Sequence, residues 1–162
     1  MKNSIAICPG SFDPVTKGHL DIITRSSKMF EKVIVVVMSN AKKINSTSFS
    51  IEERMEMIRR ATAELPNVEV DHSEGLLAEY AAEKNASAIV KGLRAVTDFE
   101  YEFQMALANK KLNPMVETVF LTTSAENMYL SSSMVKQIAS MGGDISDFVP
   151  EVIHSDILKR LK

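Results

Sequence analysis

Short β-branched runs alternate with amphipathic segments along the whole chain. Ser4 to Cys8, Val33 to Met38, Val68 to Val70, Ala88 to Val90 and Val116 to Leu121 are brief, rich in Val and Ile, and read as strands. A segment of helical period follows each. Gly18 to Phe30 brings Leu20, Ile23 and Phe30 near one face, and Ser50 to Leu65 opens with Ser50 and Glu53 at capping-box spacing before repeating apolar side chains at Ile51, Met55 and Ile58. Gly75 to Lys84 presents Leu76, Leu77, Tyr80 and Ala81. Thr97 and Glu100 form a second candidate capping box around Phe99, Phe103, Ala106 and Leu107, in a helix expected to stop near Asn113 and Pro114. Ser131 to Met141 ends at Gly142 and Gly143, and a last helix is predicted from about Pro150 to Leu161.

Five strands, each followed by a helix, call for right-handed crossovers and a parallel sheet covered on both faces. The fold class is therefore α/β, a doubly wound, five-stranded, Rossmann-like sheet. No repeat, low-complexity tract or linker breaks the pattern, and 162 residues suit one domain, so residues 1–162 are expected to form a single one. In such sheets the ligand sits beyond the carboxyl ends of the strands, where strand order reverses. The loops of interest are Pro9 to Gly18, Ser39 to Ser48, Asp71 to Glu74, Lys91 to Thr97 and Thr122 to Leu130.

Composition narrows the function. The apolar fraction of 45% and charged fraction of 25% are those of a chain that buries a core. Nineteen basic against 21 acidic residues, no Trp and 6% aromatic residues give no electrostatic or stacking case for nucleic acid. The longest apolar run, Val33 to Met38, is far short of the roughly 20 residues that span a bilayer. No membrane segment or secretory leader is expected, and the protein is placed in the cytoplasm. The single cysteine, Cys8, excludes an internal disulfide and reads as a small buried hydrophobe.

Three stretches carry candidate chemistry. Cys8-Pro9-Gly10-Ser11-Phe12-Asp13-Pro14-Val15-Thr16-Lys17-Gly18-His19 joins a strand to a helix; Gly10 admits close backbone approach, Ser11 offers a hydroxyl, and His19 sits where helix N–H groups attract phosphate. It matches neither the dinucleotide fingerprint nor the P-loop. Leu130-Ser131-Ser132-Ser133-Met134-Val135-Lys136 opens the fifth helix with three hydroxyls and places Lys136 one turn inside, where it can reach the same anion. Lys91-Gly92-Leu93-Arg94 adds two cations ahead of Asp98, Glu100 and Glu102.

Together these stretches resemble phosphopantetheine adenylyltransferase, over essentially the whole chain. Phe49 with Glu52-Glu53-Arg54, and Gly143-Asp144 with Phe148-Val149-Pro150, extend the similarity. The Gly18-His19 pair is shared by a wider nucleotidyltransferase superfamily, whereas Gly92 to Glu102 is specific to this member. Lys91 stands where the family usually has Arg, and Asn45 to Ser48 resembles an insertion, so the family's phosphate-binding lysine corresponds to Lys42 or Lys43.

The resemblance implies adenylyl transfer from ATP to 4′-phosphopantetheine, giving dephospho-coenzyme A and pyrophosphate, in coenzyme A biosynthesis. It implies a catalytic set of His19, Lys42, Lys43 and Arg94, with His19 donating to the α-phosphoryl oxygens. Ser11, Lys42 or Lys43, and Lys91 would hold the incoming phosphate, and Leu77 would line the pantetheine arm. ATP would lie on Gly10, Ser11, Phe12, His19, Gly92, Leu93, Arg94 and Glu102, and on the run Asn127, Met128, Tyr129, Leu130, Ser131, Ser132 and Ser133. Mg2+ is expected to be carried mainly by ATP, with no protein metal site. The resemblance further implies a homohexamer, a dimer of trimers. His72 and His154 lie outside the matched motifs and read as structural or surface residues.

Overall fold

The computed structural model describes residues 4–39 and 46–162, with the backbone alone at 96 and 97. The strands are β1 (Ile5–Gly10), β2 (Lys32–Met38), β3 (Val68–Ser73), β4 (Ala88–Leu93) and β5 (Glu117–Thr122). The helices are α1 (Lys17–Met29), α2 (Ile51–Ala61), α3 (Leu77–Glu83), α4 (Val96–Leu112), α5 (Ser132–Ser140) and α6 (Glu151–Leu161). All neighbouring strands pair in parallel, in the order β3-β2-β1-β4-β5. The expected doubly wound sheet is thus present, and strand order reverses between β1 and β4.

Alternation along the strands sorts the core into two layers. Ala6, Cys8, Val33, Val35, Val37, Ala88 and Val90 face a layer built with Ile23 of α1, Ile58 of α2, Val135 of α5 and Ile153 and Ile157 of α6. Ile7, Ile34, Val36 and Ile89 face the other, against Tyr80 and Ala81 of α3 and Val116. Residues buried on both faces explain why β2 reads as a continuous apolar run.

Several boundaries differ from the sequence expectation. β1, β3, β4 and β5 all run past their apolar stretch, so that Pro9 and Gly10, Asp71 to Ser73, and Lys91 to Leu93 are strand rather than loop. Hydrogen bonding to the neighbouring strand continues where side-chain hydrophobicity has stopped. α2 closes at Ala61 rather than Leu65; Thr62 is its C-cap, and its N–H and hydroxyl both donate to the Ile58 carbonyl. α3 is shorter than expected at both ends. The Thr97 capping box is not formed: α4 begins at Val96 behind Ala95, which makes no side-chain cap. Ser50 and Glu53 do form theirs.

Candidate active site

The carboxyl ends of β1 and β4, the two strands at the order reversal, open a cleft of about 540 Å³. Its floor holds Cys8, whose thiol burial pushes up to about 11, a hydrogen bond with Ser26 notwithstanding. Cys8 is therefore an inert wall.

The first loop is shaped by a left-handed residue. Phe12 has φ 49°, a conformation that costs a bulky residue about 1–2 kcal/mol. Its ring lies under Gly10, where a Cβ would come within 3.0 Å of it, and edge-on to His19 with centroids 5.0 Å apart. Contacts from three directions hold the turn. Arg54 donates to the Ser11 carbonyl at 2.9 Å; buried Asp13 accepts the N–H groups of Ser48 and Phe49, each at 3.0 Å; and the Ser132 hydroxyl donates to the Pro14 carbonyl at 2.8 Å.

His19 is fixed by the start of its own helix. Thr16 is the N-cap of α1, and His19, three residues on, completes a capping box in which Nδ1 accepts the Thr16 N–H at 2.9 Å. Accepting there leaves Nδ1 without a proton, so the neutral ring carries its hydrogen on Nε2. Burial, then the charges of Arg94 and Lys91, holds the imidazole down at about 4. Near neutral pH His19 is thus an uncharged donor.

Among the described residues three cations, Lys91, Arg94 and Lys136, line the cleft, and each faces a carboxylate. Lys91 Nζ is 3.3 Å from Glu102, Arg94 Nε 3.2 Å from Asp98, and Lys136 Nζ 2.9 Å from Asp13. Arg94 also donates to the Leu130 carbonyl at 3.0 Å, tying β4 to the loop before α5. Ser131 caps α5 by accepting from the Met134 N–H. The amino-terminal turns of α1 and α5 therefore converge on one cleft, with N–H groups and positive dipole ends directed at it. No cluster of three metal-ligating side chains occurs among the described residues. The arrangement has the donors and positive charge that a polyphosphate would need.

A cytidylyltransferase-like family model matches residues 7–138. The phosphopantetheine adenylyltransferase of Caldanaerobacter subterraneus subsp. tengcongensis is 58% identical over 98% of both chains. Those of Clostridium botulinum and Clostridium tetani are 55% and 54% identical, over 98% and 97% of both chains. The chain belongs to the phosphopantetheine adenylyltransferase family.

Of the residues expected to serve a phosphopantetheine adenylyltransferase, the cleft brings together Gly10, Ser11, Phe12, His19, Lys91, Gly92, Arg94, Glu102, Asn127, Leu130, Ser131, Ser132 and Ser133. Lys42 and Lys43 lie outside the described residues. Leu77, Leu93, Met128 and Tyr129 do not line it: Leu77 packs against the core layer under α3, while Met128 and Tyr129 are exposed. Sequence reasoning missed Thr16, Ser46, Thr47 and Thr123. Ser46, Thr47 and Thr123 lie in loops already marked for inspection, Ser39 to Ser48 and Thr122 to Leu130, but were not singled out within them. It also treated Lys136 as an anion contact, whereas here Asp13 holds it.

Proposed function

We propose that the cleft performs adenylyl transfer from ATP to 4′-phosphopantetheine, giving dephospho-coenzyme A and pyrophosphate. A phosphate oxygen of the acceptor attacks the α-phosphorus of ATP, a new P–O–P link forms, the bond from the α-phosphorus to the bridging oxygen breaks, and its electrons leave with pyrophosphate. The acceptor phosphomonoester is largely dianionic near neutral pH, so no strong base is required. Placement and charge carry the reaction.

The observation that supports this most is the state of His19. A neutral imidazole with its proton on Nε2, at the head of α1, gives a hydrogen bond to an oxygen on which charge builds without adding a full charge to the ground state. In this reading Ser11, Lys91 and either Lys42 or Lys43 hold the acceptor phosphate. Arg94, Glu102 and the run from Asn127 to Ser133 hold ATP, with Glu102 toward the ribose hydroxyls. Leu77 would meet the pantetheine arm only as the arm leaves the cleft.

Mg2+ in this account arrives on ATP. The two carboxylates that line the cleft, Asp13 and Glu102, each face a lysine, a donor set that suits a cation held by ATP oxygens and water. Bound there, it would neutralise charge on the polyphosphate. Residues 1–162 act as one nucleotidyltransferase domain. No helix among the described residues is long and apolar enough to cross a membrane, and the proposed place of the reaction is the cytoplasm.

The homohexamer is part of the proposal: the family resemblance supplies the number of copies, and α4 supports self-association. Phe99, Tyr101, Phe103, Met105, Leu107 and Leu112 are all exposed on that helix, and Phe99 stacks on Phe103 at 5.4 Å. Large apolar side chains exposed in a run along one helix, between charged residues, mark a surface for another chain. Pyrophosphate release from ATP and Mg2+ tests the activity. It is expected with 4′-phosphopantetheine and absent with pantetheine; release that ignores the acceptor phosphate would contradict the reading.

A further inference from the structure

Arg54 of α2 is 3% exposed, and both of its side-chain hydrogen bonds go to neutral carbonyls: Nε to Ser50 at 3.3 Å and a terminal nitrogen to Ser11 at 2.9 Å. It forms no ion pair among the described residues, and the undescribed positions 1–3 and 40–45 contain no Asp or Glu. The nearby carboxylates are committed elsewhere, Glu53 to Arg160 and Asp13 to Lys136, Ser48 and Phe49. Arginine keeps its charge when buried, and a buried charge without a counter-ion is costly to maintain.

The direction of the contact points to what the charge serves. In a trans peptide the carbonyl and the N–H point opposite ways, and the Ser11–Phe12 peptide is trans. With its oxygen on Arg54, that peptide turns the Phe12 N–H away from α2. This N–H meets no acceptor among the described residues, and Ser11 and Phe12 both line the cleft. A cation on the oxygen end of a peptide strengthens the donor at its other end.

We propose that Arg54 is a positioning residue for the phosphate site: from behind the first loop it fixes the Ser11–Phe12 peptide with its N–H free for an anionic oxygen, and the ligand phosphate supplies the counter-charge that the chain itself withholds. This rests on the reading of the cleft as a phosphate site.

Arg54→Gln keeps a neutral donor and removes the charge; Arg54→Lys keeps the charge and removes the fork. Titration with inorganic pyrophosphate by calorimetry should show Arg54→Gln weakened about ten- to a hundredfold and Arg54→Lys within about threefold of wild type. With ATP and 4′-phosphopantetheine, kcat should follow the same order. Unchanged pyrophosphate affinity in Arg54→Gln, with only a lower melting temperature, would make Arg54 a structural donor and overturn the proposal. If Arg54→Gln does not fold, a tenfold loss in Arg54→Lys overturns it equally. Wild-type protein that fails to bind pyrophosphate would instead remove the phosphate site itself.

Discussion

In the proposed reaction, His19 serves a helix and the chemistry with different atoms. Nδ1 belongs to the capping box of α1, and Nε2 is left for the cleft. Nitrogen-15 NMR on the imidazole should find Nδ1 unprotonated and Nε2 protonated from pH 5 to 8, with titration only near 4; a midpoint near 6.5 would refute the neutral donor. The same shift has a stability consequence. Because the folded pKa lies below the unfolded value, the unfolded chain binds more protons between about pH 4 and 6.5, so stability rises with pH across that window. The penalty is complete below about 4 and absent above 6.5. Urea unfolding at a series of pH values should show this rise in wild type and a flatter one in His19→Gln. Lys91 makes a second test at this scale. It faces Glu102, and as an ammonium it contributes charge without a planar fork. Lys91→Arg should bind 4′-phosphopantetheine at least as well, and Lys91→Ala should lose about 1.5–3 kcal/mol for it by calorimetry, with pantetheine unaffected. An equal loss for both ligands would remove Lys91 from the acceptor phosphate.

At the scale of elements, the site depends on how closely α1 lies on β4. A Cβ at Gly92 would come within 2.9 Å of Ile22 Cγ1, so this glycine permits the contact that sets the position of α1 and of His19 with it. Gly92→Ala should destabilise by about 1–3 kcal/mol through overpacking and lower kcat as well. Adding Ile22→Ala should recover part of both, and a double-mutant cycle with no coupling would contradict the account. Elements of this kind were largely legible from sequence. The Val and Ile runs of β1, β2 and β4 and the Ser50-Glu53 box marked them by local chemistry alone. Where strands outlast their apolar residues, as at Lys91-Gly92-Leu93, the continuation depends on pairing with β5, which no local pattern records. Thr97 misled for a similar reason: the chain enters α4 at Val96, ahead of the residue best suited to cap it.

On the scale of the whole molecule, the motif residues meet because parallel strands deliver all their carboxyl ends to one edge. That much follows from alternation. The ion pairs of Lys91 with Glu102 and Lys136 with Asp13 do not, because they depend on distances between loops. Periodicity marks Phe99, Phe103 and Leu107 as apolar positions of a helix without telling one buried by its own chain from one that another copy could cover; in the folded chain all three are exposed. Sedimentation should accordingly find an assembly larger than a monomer, and Leu107→Glu should shift it toward smaller species. A monomeric wild type would contradict the proposed interface.

The central claim is that His19 acts chiefly in the transition state of adenylyl transfer. Single-turnover measurement of His19→Ala, with ATP affinity determined alongside, tests it most directly. The transfer rate should fall about 10²- to 10³-fold while ATP affinity stays within a few-fold of wild type. A near-normal rate, or a loss found wholly in ATP binding, would show that His19 does no more than cap α1.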